Sequence, residues 1–149
     1  MTNAYLFAWN AIKWPWPDIK ESITEIQQSG ITAQPWTFAS HRTVKPGDRA
    51  FLVKLGSEPK GLMASGYVSS FAFQDTSHSG RPVMRVIINF DILLNPEKNI
   101  LLPIADLKQG IMAKQLWSPQ ASGIAIKHDV LPELEEVWRE FLANSSQLL

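Results

Sequence analysis

Apolar and polar positions along the chain change their period several times, and the changes mark the elements. Ala4 to Asn10 is an apolar, aromatic run closed by Asn10, the pattern of a buried strand. Ile19, Ile23 and Ile26 then recur at helical spacing. With Asp18 as the cap, Glu21 at the capping-box position and Gly30 as the stop, they predict a helix from Asp18 to about Gln28. Between these two elements, Pro15 and Pro17 prevent regular structure and make Trp14-Pro15-Trp16-Pro17 a rigid loop.

Residues 31–47 read as irregular. The turn Lys45-Pro46-Gly47-Asp48 leads into a strand from Arg49 to Leu55, with Phe51, Val53 and Leu55 on one face. Gly56 to Lys60 form a turn, and Gly61 to Phe73 predict a second long strand. Gly66 interrupts that strand with a bulge or a close backbone approach. Gln74 to Pro82 read as a polar loop. From Val83 to Leu94, Met84, Val86, Ile88, Phe90 and Ile92 alternate with Arg85, Asn89 and Asp91, a clear strand. A short helix over 103–109, a polar loop carrying Trp117 and a closing strand from Gly123 to Lys127 follow. The last helix, roughly 130–142, gathers Leu131, Leu134, Trp138, Phe141 and Leu142 on one side. This order predicts one α+β domain over 1–149, with its core at about 4–142. Its expected architecture is a small curved sheet or barrel of about five mostly antiparallel strands with flanking helices.

Composition narrows the chemistry. The absence of cysteine removes disulfides, thiolate nucleophiles and thiolate metal sites. No run is long and apolar enough for a membrane helix, and Met1-Thr2-Asn3-Ala4 opens no signal peptide, so no membrane is expected and the cytoplasm is the expected compartment. Net charge is zero but unevenly spread: residues 129–149 carry −4, in the terminal helix, and residues 1–128 carry +4. Such a body can offer a basic face to phosphates, although dedicated DNA-binding modules usually show a larger excess.

Catalytic patterns are sparse. His41, His78 and His128 have no metal-ligand spacing, no serine sits in a nucleophile elbow, and no glycine loop cradles a phosphate. Neither a metal nor a cofactor is expected, nor enzymatic activity. Asp48, Glu58 and Lys60 match the spacing of a metal-dependent nuclease, but Pro59 between Gly56 and Gly61 makes that stretch a hairpin turn of solvated residues.

The remaining signal is tryptophan, used six times. Trp138 is in register with the apolar face of its helix and reads as core. Trp9 suits either core or a pocket wall. Trp36 and Trp117 lie in irregular segments among Ser, Thr, Gln, Gly and Pro. Each either plugs one end of the core or belongs to an aromatic cage that holds a planar or methylated group. Gln120 and Ser122 beside Trp117, and Ser40 near Trp36, would then read the edge of that group. Trp14 and Trp16 read as a packing clamp held by prolines.

Several of these segments together resemble the EVE-like family of the PUA superfamily, to which the YTH readers of methylated adenine are related. They are Tyr5-Leu6-Phe7-Ala8-Trp9-Asn10 with Lys13, Trp14 and Trp16, then Trp36, then Pro46-Gly47-Asp48-Arg49. Pro59-Lys60-Gly61 through Ser65-Gly66, and Trp117, Pro119, Gln120, Ser122 and Gly123, complete the set. The resemblance implies a PUA-like barrel that binds a modified base in an aromatic pocket. It is similar to domains found N-terminal in HNH-type and McrB-type modification-dependent restriction proteins, where the target base is flipped from the duplex. Carried over, it implies a base pocket of Trp36, Trp117, Gln120 and Ser122, with Trp9, Asn10 and Ser40 behind them. Arg42, Lys45, Lys60 and Lys13 would contact phosphates. The expected partner is modified DNA, with RNA or a modified nucleoside as the alternative, and a small molecule or protein using the same pocket as a third. None of the 149 residues is expected to form a nuclease, so cleavage is expected from a partner domain or subunit.

Overall fold

The computed structural model describes residues 3–39 and 43–145. It is a mixed α+β fold in which one sheet curls into a half-barrel flanked by helices. The elements run β1 (Ala4–Asn10), α1 (Ile19–Ser29), β2 (Thr32–Thr37), β3 (Arg49–Leu55), β4 (Gly61–Val68), β5 (Phe73–Thr76), β6 (Pro82–Leu93), β7 (Leu102–Pro103), α2 (Ile104–Leu107), β8 (Ile124–Ala125) and α3 (Leu131–Ala143), with a 3-10 turn at Gly110–Lys114. Among these residues no helix is long and apolar enough to cross a membrane.

The sheet order is β2-β6-β4-β3-β1-β8, with β5 also on β6 and β7 on β4. Of these described pairings, β1 with β3 is parallel, from Ala4↔Arg49 to Asn10↔Leu55, and the others are antiparallel. Register shifts at Leu52/Val53 and Ser65/Gly66 bend the central strands, since a bulge adds local twist. Gly66 is required at the second one: a Cβ there would stand 2.1 Å from the Asn89 carbonyl oxygen, so only glycine lets β4 and β6 approach. The sequence reading of that position is met on both counts.

Because the central strands are covered on both faces, every residue from Ala50 to Lys54 is buried. The core joins Leu6, Phe7, Phe51, Leu62, Val86, Ile88 and Phe90 to Leu134 and Trp138 of α3. The Trp138 indole donates to Ser65 Oγ at 2.9 Å, and Arg49 forks onto both oxygens of Glu135 at 2.8 and 3.0 Å. Ile19, Ile23 and Ile26 of α1 pack against the same core, and Gly30 ends the helix with its N–H on the Ile26 carbonyl.

Four local expectations are corrected. Asp18 makes no side-chain cap; instead the Ser22 hydroxyl donates back to its carbonyl at 2.9 Å. The segment around Trp36 is strand β2, and Pro35 fits there because β2 is an edge strand that can spare an N–H. The supposed polar loop after Phe73 begins with strand β5, an exposed strand whose partner β6 decides its conformation. The second long strand is broken at 69–72 into β4 and β5.

Candidate functional site

The half-barrel closes imperfectly where β1 and β2 face each other, and the candidate site occupies this seam. On its open side β1 pairs with β8 only at Tyr5 and Leu6 among the described residues. Further along, side chains replace the missing strand. The Ala8 N–H donates to Ser122 Oγ at 3.1 Å, and the Ala8 carbonyl accepts the Trp36 indole N–H at 3.0 Å. Just beyond β2, the Ala39 N–H reaches the Ser122 carbonyl at 2.8 Å. Gly123, at φ 83°, lets Phe38 lie against the chain, where a Cβ would stand 2.1 Å from a ring carbon.

The space left along the seam is a cleft of about 590 Å³, within the range of small-molecule sites. Trp9, Trp14, Trp16 and Trp36 line it, together with Asn10, Lys13, Gln34, Asp75, His78, Arg85 and Ser122. Trp14 lies on Trp16 at 5.7 Å and 14° from parallel, and Trp36 meets Trp16 edge-on at 4.9 Å. Trp9 meets Trp16 at 89°, and its N–H donates to the Trp14 carbonyl at 2.8 Å. Trp14 alone of the four is half-exposed; the others are buried. Trp16 adopts φ 47°, a left-handed backbone that costs a bulky residue about 1–3 kcal/mol.

Charges ring the cleft in a nearly balanced way. Arg85 holds Asp75 at 2.9 Å and donates to Thr37 Oγ1 at 3.3 Å, so this cation is positioned by its neighbours. Lys13 is exposed in the turn that follows β1, whose N–H groups are held by the Asn10 side chain and carbonyl. Behind Trp9, the Lys54 ammonium lies 5.7 Å from the ring centroid and donates to the Ser57 and Pro59 carbonyls at 2.7 and 3.0 Å. Burial lowers its pKa, Glu58 pulls it back up and Lys60 depresses it further. A smaller groove of about 350 Å³ lies under α3, where Arg49 is already matched by Glu135.

Trp9, Asn10, Trp36, Ser122 and Lys13 of the expected set therefore come together. Trp117 does not join them: it is 1% exposed, and its indole donates to the Met112 carbonyl at 2.9 Å, which makes it a plug of the core. Gln120 is exposed outside the cleft, and Lys45 and Lys60 stand on turns that do not line it. Ser40 and Arg42, with His41, lie outside the described residues. The nuclease-like trio does not converge. Asp48 is buried and accepts the Lys45 N–H at 3.0 Å, while Glu58 accepts the Lys60 N–H at 3.3 Å.

Trp14, Trp16, Gln34, Asp75, His78 and Arg85 are among the cleft residues that sequence reasoning missed. Proline on either side of Trp16 was the available signal for the first two, since it marks a chain held in one unusual conformation. Arg85 reaches the cleft through the pairing of β6 with β2, where it stands opposite Thr37, and His78 follows β5, which β6 holds on its other side.

No protein-family model and no curated protein sequence matches the chain. Solved structures do. A hypothetical protein from Leishmania major superposes with a TM-score of 0.69 at 13% identity, over 95% of this chain and 98% of that one. A protein from Pseudomonas syringae gives 0.62 at 16% identity, over 90% and 98% of the two chains. A protein from Rhodopseudomonas palustris, solved by NMR, gives 0.57 at 18% identity over 88% and 89%. At these identities the likeness shows the fold alone.

Proposed function

We propose that the chain is a non-catalytic reader of a modified base in DNA, an EVE-like module of the PUA superfamily acting in the cytoplasm as the recognition part of modification-dependent restriction. The carrying observation is the seam cleft of about 590 Å³, whose wall includes four tryptophans with Asn10, Gln34 and Ser122 beside them. Flat aromatic walls suit a planar base, and stacking on such a platform contributes about 1–3 kcal/mol. The neighbouring amides and hydroxyls supply edge recognition. Lys13 and Arg85 at the mouth suit phosphates, which position a strand without reading it. A base inside a duplex cannot reach such a cleft, so the reading requires flipping, at a cost of a few kcal/mol in unstacking. The near-balanced charge keeps nonspecific affinity low and leaves the modification to decide binding.

The test is a fluorescence-anisotropy titration against short duplexes carrying no modification, methylcytosine, hydroxymethylcytosine or methyladenine, with matched RNA, at two salt concentrations. The expected result is a preference of about tenfold, or 1.4 kcal/mol, for one modified duplex, abolished by Trp36→Ala in protein shown to be folded. Lys13→Glu should weaken every duplex alike and reduce the salt slope by about one unit. Equal and weak binding to all DNA sinks the DNA reading, and tighter binding to the RNA moves the assignment to a PUA-like RNA module.

A further inference from the structure

Trp16 is 1% exposed and lines the cleft, yet its indole N–H is buried without a hydrogen-bond partner among the described residues. The other buried indoles are all satisfied: those of Trp9, Trp36, Trp117 and Trp138 donate at 2.8, 3.0, 2.9 and 2.9 Å. Buried donors are paired almost without exception in folded proteins, so an orphan calls for a physical explanation. Packing convenience does not provide one. The same residue is held at φ 47° between Pro15 and Pro17, a second costly feature at the same position, and such features gather at ligand sites.

The geometry of the neighbouring ring says what would meet the donor. An acceptor for an indole N–H lies near the plane of the indole. Trp14 is 14° from parallel to Trp16. A flat heterocycle that accepts this bond while coplanar with Trp16 is nearly parallel to Trp14, so that one pose supplies both the hydrogen bond and the stack. Trp14 is half-exposed, so it has ring surface to offer. Its backbone is pinned, its N–H on the Asn10 carbonyl at 3.1 Å and its carbonyl under the Trp9 indole at 2.8 Å, which leaves side-chain rotation as its remaining freedom.

We propose that Trp16 is the specificity-determining residue of the cleft, its indole N–H donating to a ring nitrogen or carbonyl on the edge of the bound base while Trp14 stacks on that base. This rests on the base-reading function above and adds its selection rule: the ligand must present an acceptor edge, and the methyl or hydroxymethyl group is read elsewhere in the cleft. Because the N–H is sealed in the free protein, the donor becomes available only as the cleft wall yields to a ligand.

The experiment follows the indole N–H resonances of protein labelled with 15N-tryptophan. The probes are methyldeoxycytidine, hydroxymethyldeoxycytidine, methyldeoxyadenosine and the modified duplexes, with the Trp16 resonance assigned by its loss in Trp16→Phe. The expected result is a downfield shift of the Trp16 N–H on binding and a loss of about tenfold in affinity in Trp16→Phe. An analogue of the bound nucleoside with C–H in place of the acceptor nitrogen or carbonyl should lose as much against wild type and almost nothing further against Trp16→Phe. If wild type binds a modified base while the Trp16 resonance stays in place and Trp16→Phe binds within about twofold, this inference falls and the reader function stands. If wild type and Trp14→Phe bind no probe, both fall. The resonance is read on wild type, so the test survives a poorly folded variant.

Discussion

Trp14-Pro15-Trp16-Pro17 and Trp117-Ser118-Pro119-Gln120 are both short loops built from tryptophan, proline and polar residues, and both place a tryptophan that is 1% exposed. Around Trp117 the accounting closes: the indole N–H has the Met112 carbonyl, and the polar residues Ser118 and Gln120 face solvent. Around Trp16 it does not: the N–H has no partner among the described residues, the backbone is left-handed, and a second tryptophan stays half-exposed above it. Burial is the same in the two loops, so burial cannot separate a core plug from a binding wall. Hydrogen-bond satisfaction and backbone strain separate them, because a core selected for stability alone retains neither defect.

The comparison breaks most easily at its larger end. Trp117→Ala should cost about 3–5 kcal/mol, seen as a lower urea midpoint at unchanged slope, because it empties a fully enclosed site. Trp14→Ala should cost clearly less than Trp117→Ala, since its ring is only partly buried. Similar losses at both would show that the cleft is simply more core. A subtler pair of substitutions sharpens the same contrast. Trp117→Phe strands the Met112 carbonyl and should cost about 1–3 kcal/mol. Trp16→Phe also trims a buried ring but removes an orphan donor and strands no acceptor, so in thermal melts it should cost less than Trp117→Phe.

The smallest effect concerns Lys54, behind the Trp9 wall. Its pKa is lowered, chiefly by burial, so between that folded value and the ordinary lysine value of about 10.4 the unfolded chain binds more protons. Stability of wild type relative to Lys54→Met should therefore rise with pH through that alkaline window and fall again as pH drops through the folded value. Chemical denaturation at a series of alkaline pH values measures it, and a flat difference would mean that Lys54 titrates as it does in the unfolded chain.

How much was legible in the chain follows from where the information lies. β6, α1 and α3 were readable because each repeats its apolar residues at 2.0 or 3.6 residues, and β1 and β3 because they are short apolar runs buried on both faces. β2 and β5 were not, since the first is an edge strand containing Pro35 and the second is exposed throughout. Neither carries a periodic signal, and both are strands because β6 supplies the hydrogen bonds. The site divides along the same line. Trp9, Trp36 and Ser122 could be nominated from residue type and local chemistry, whereas Asn10 and Lys13 were implied only by the family resemblance. Trp117 could be nominated equally well, and nothing local told it apart from Trp36.

What the amino-acid order determined by itself was the class of the fold, the absence of cysteine chemistry and the unusually heavy use of tryptophan, at six positions. What only the tertiary structure decided was which tryptophans share a wall. The sheet curls, its ends meet at β1 and β2, and the seam gathers Trp9, Trp14, Trp16 and Trp36 while leaving Trp117 on another side of the core. Periodicity is a property of neighbours along the chain, whereas a cleft is a property of where a curved sheet fails to close, and that depends on pairings between residues far apart in sequence.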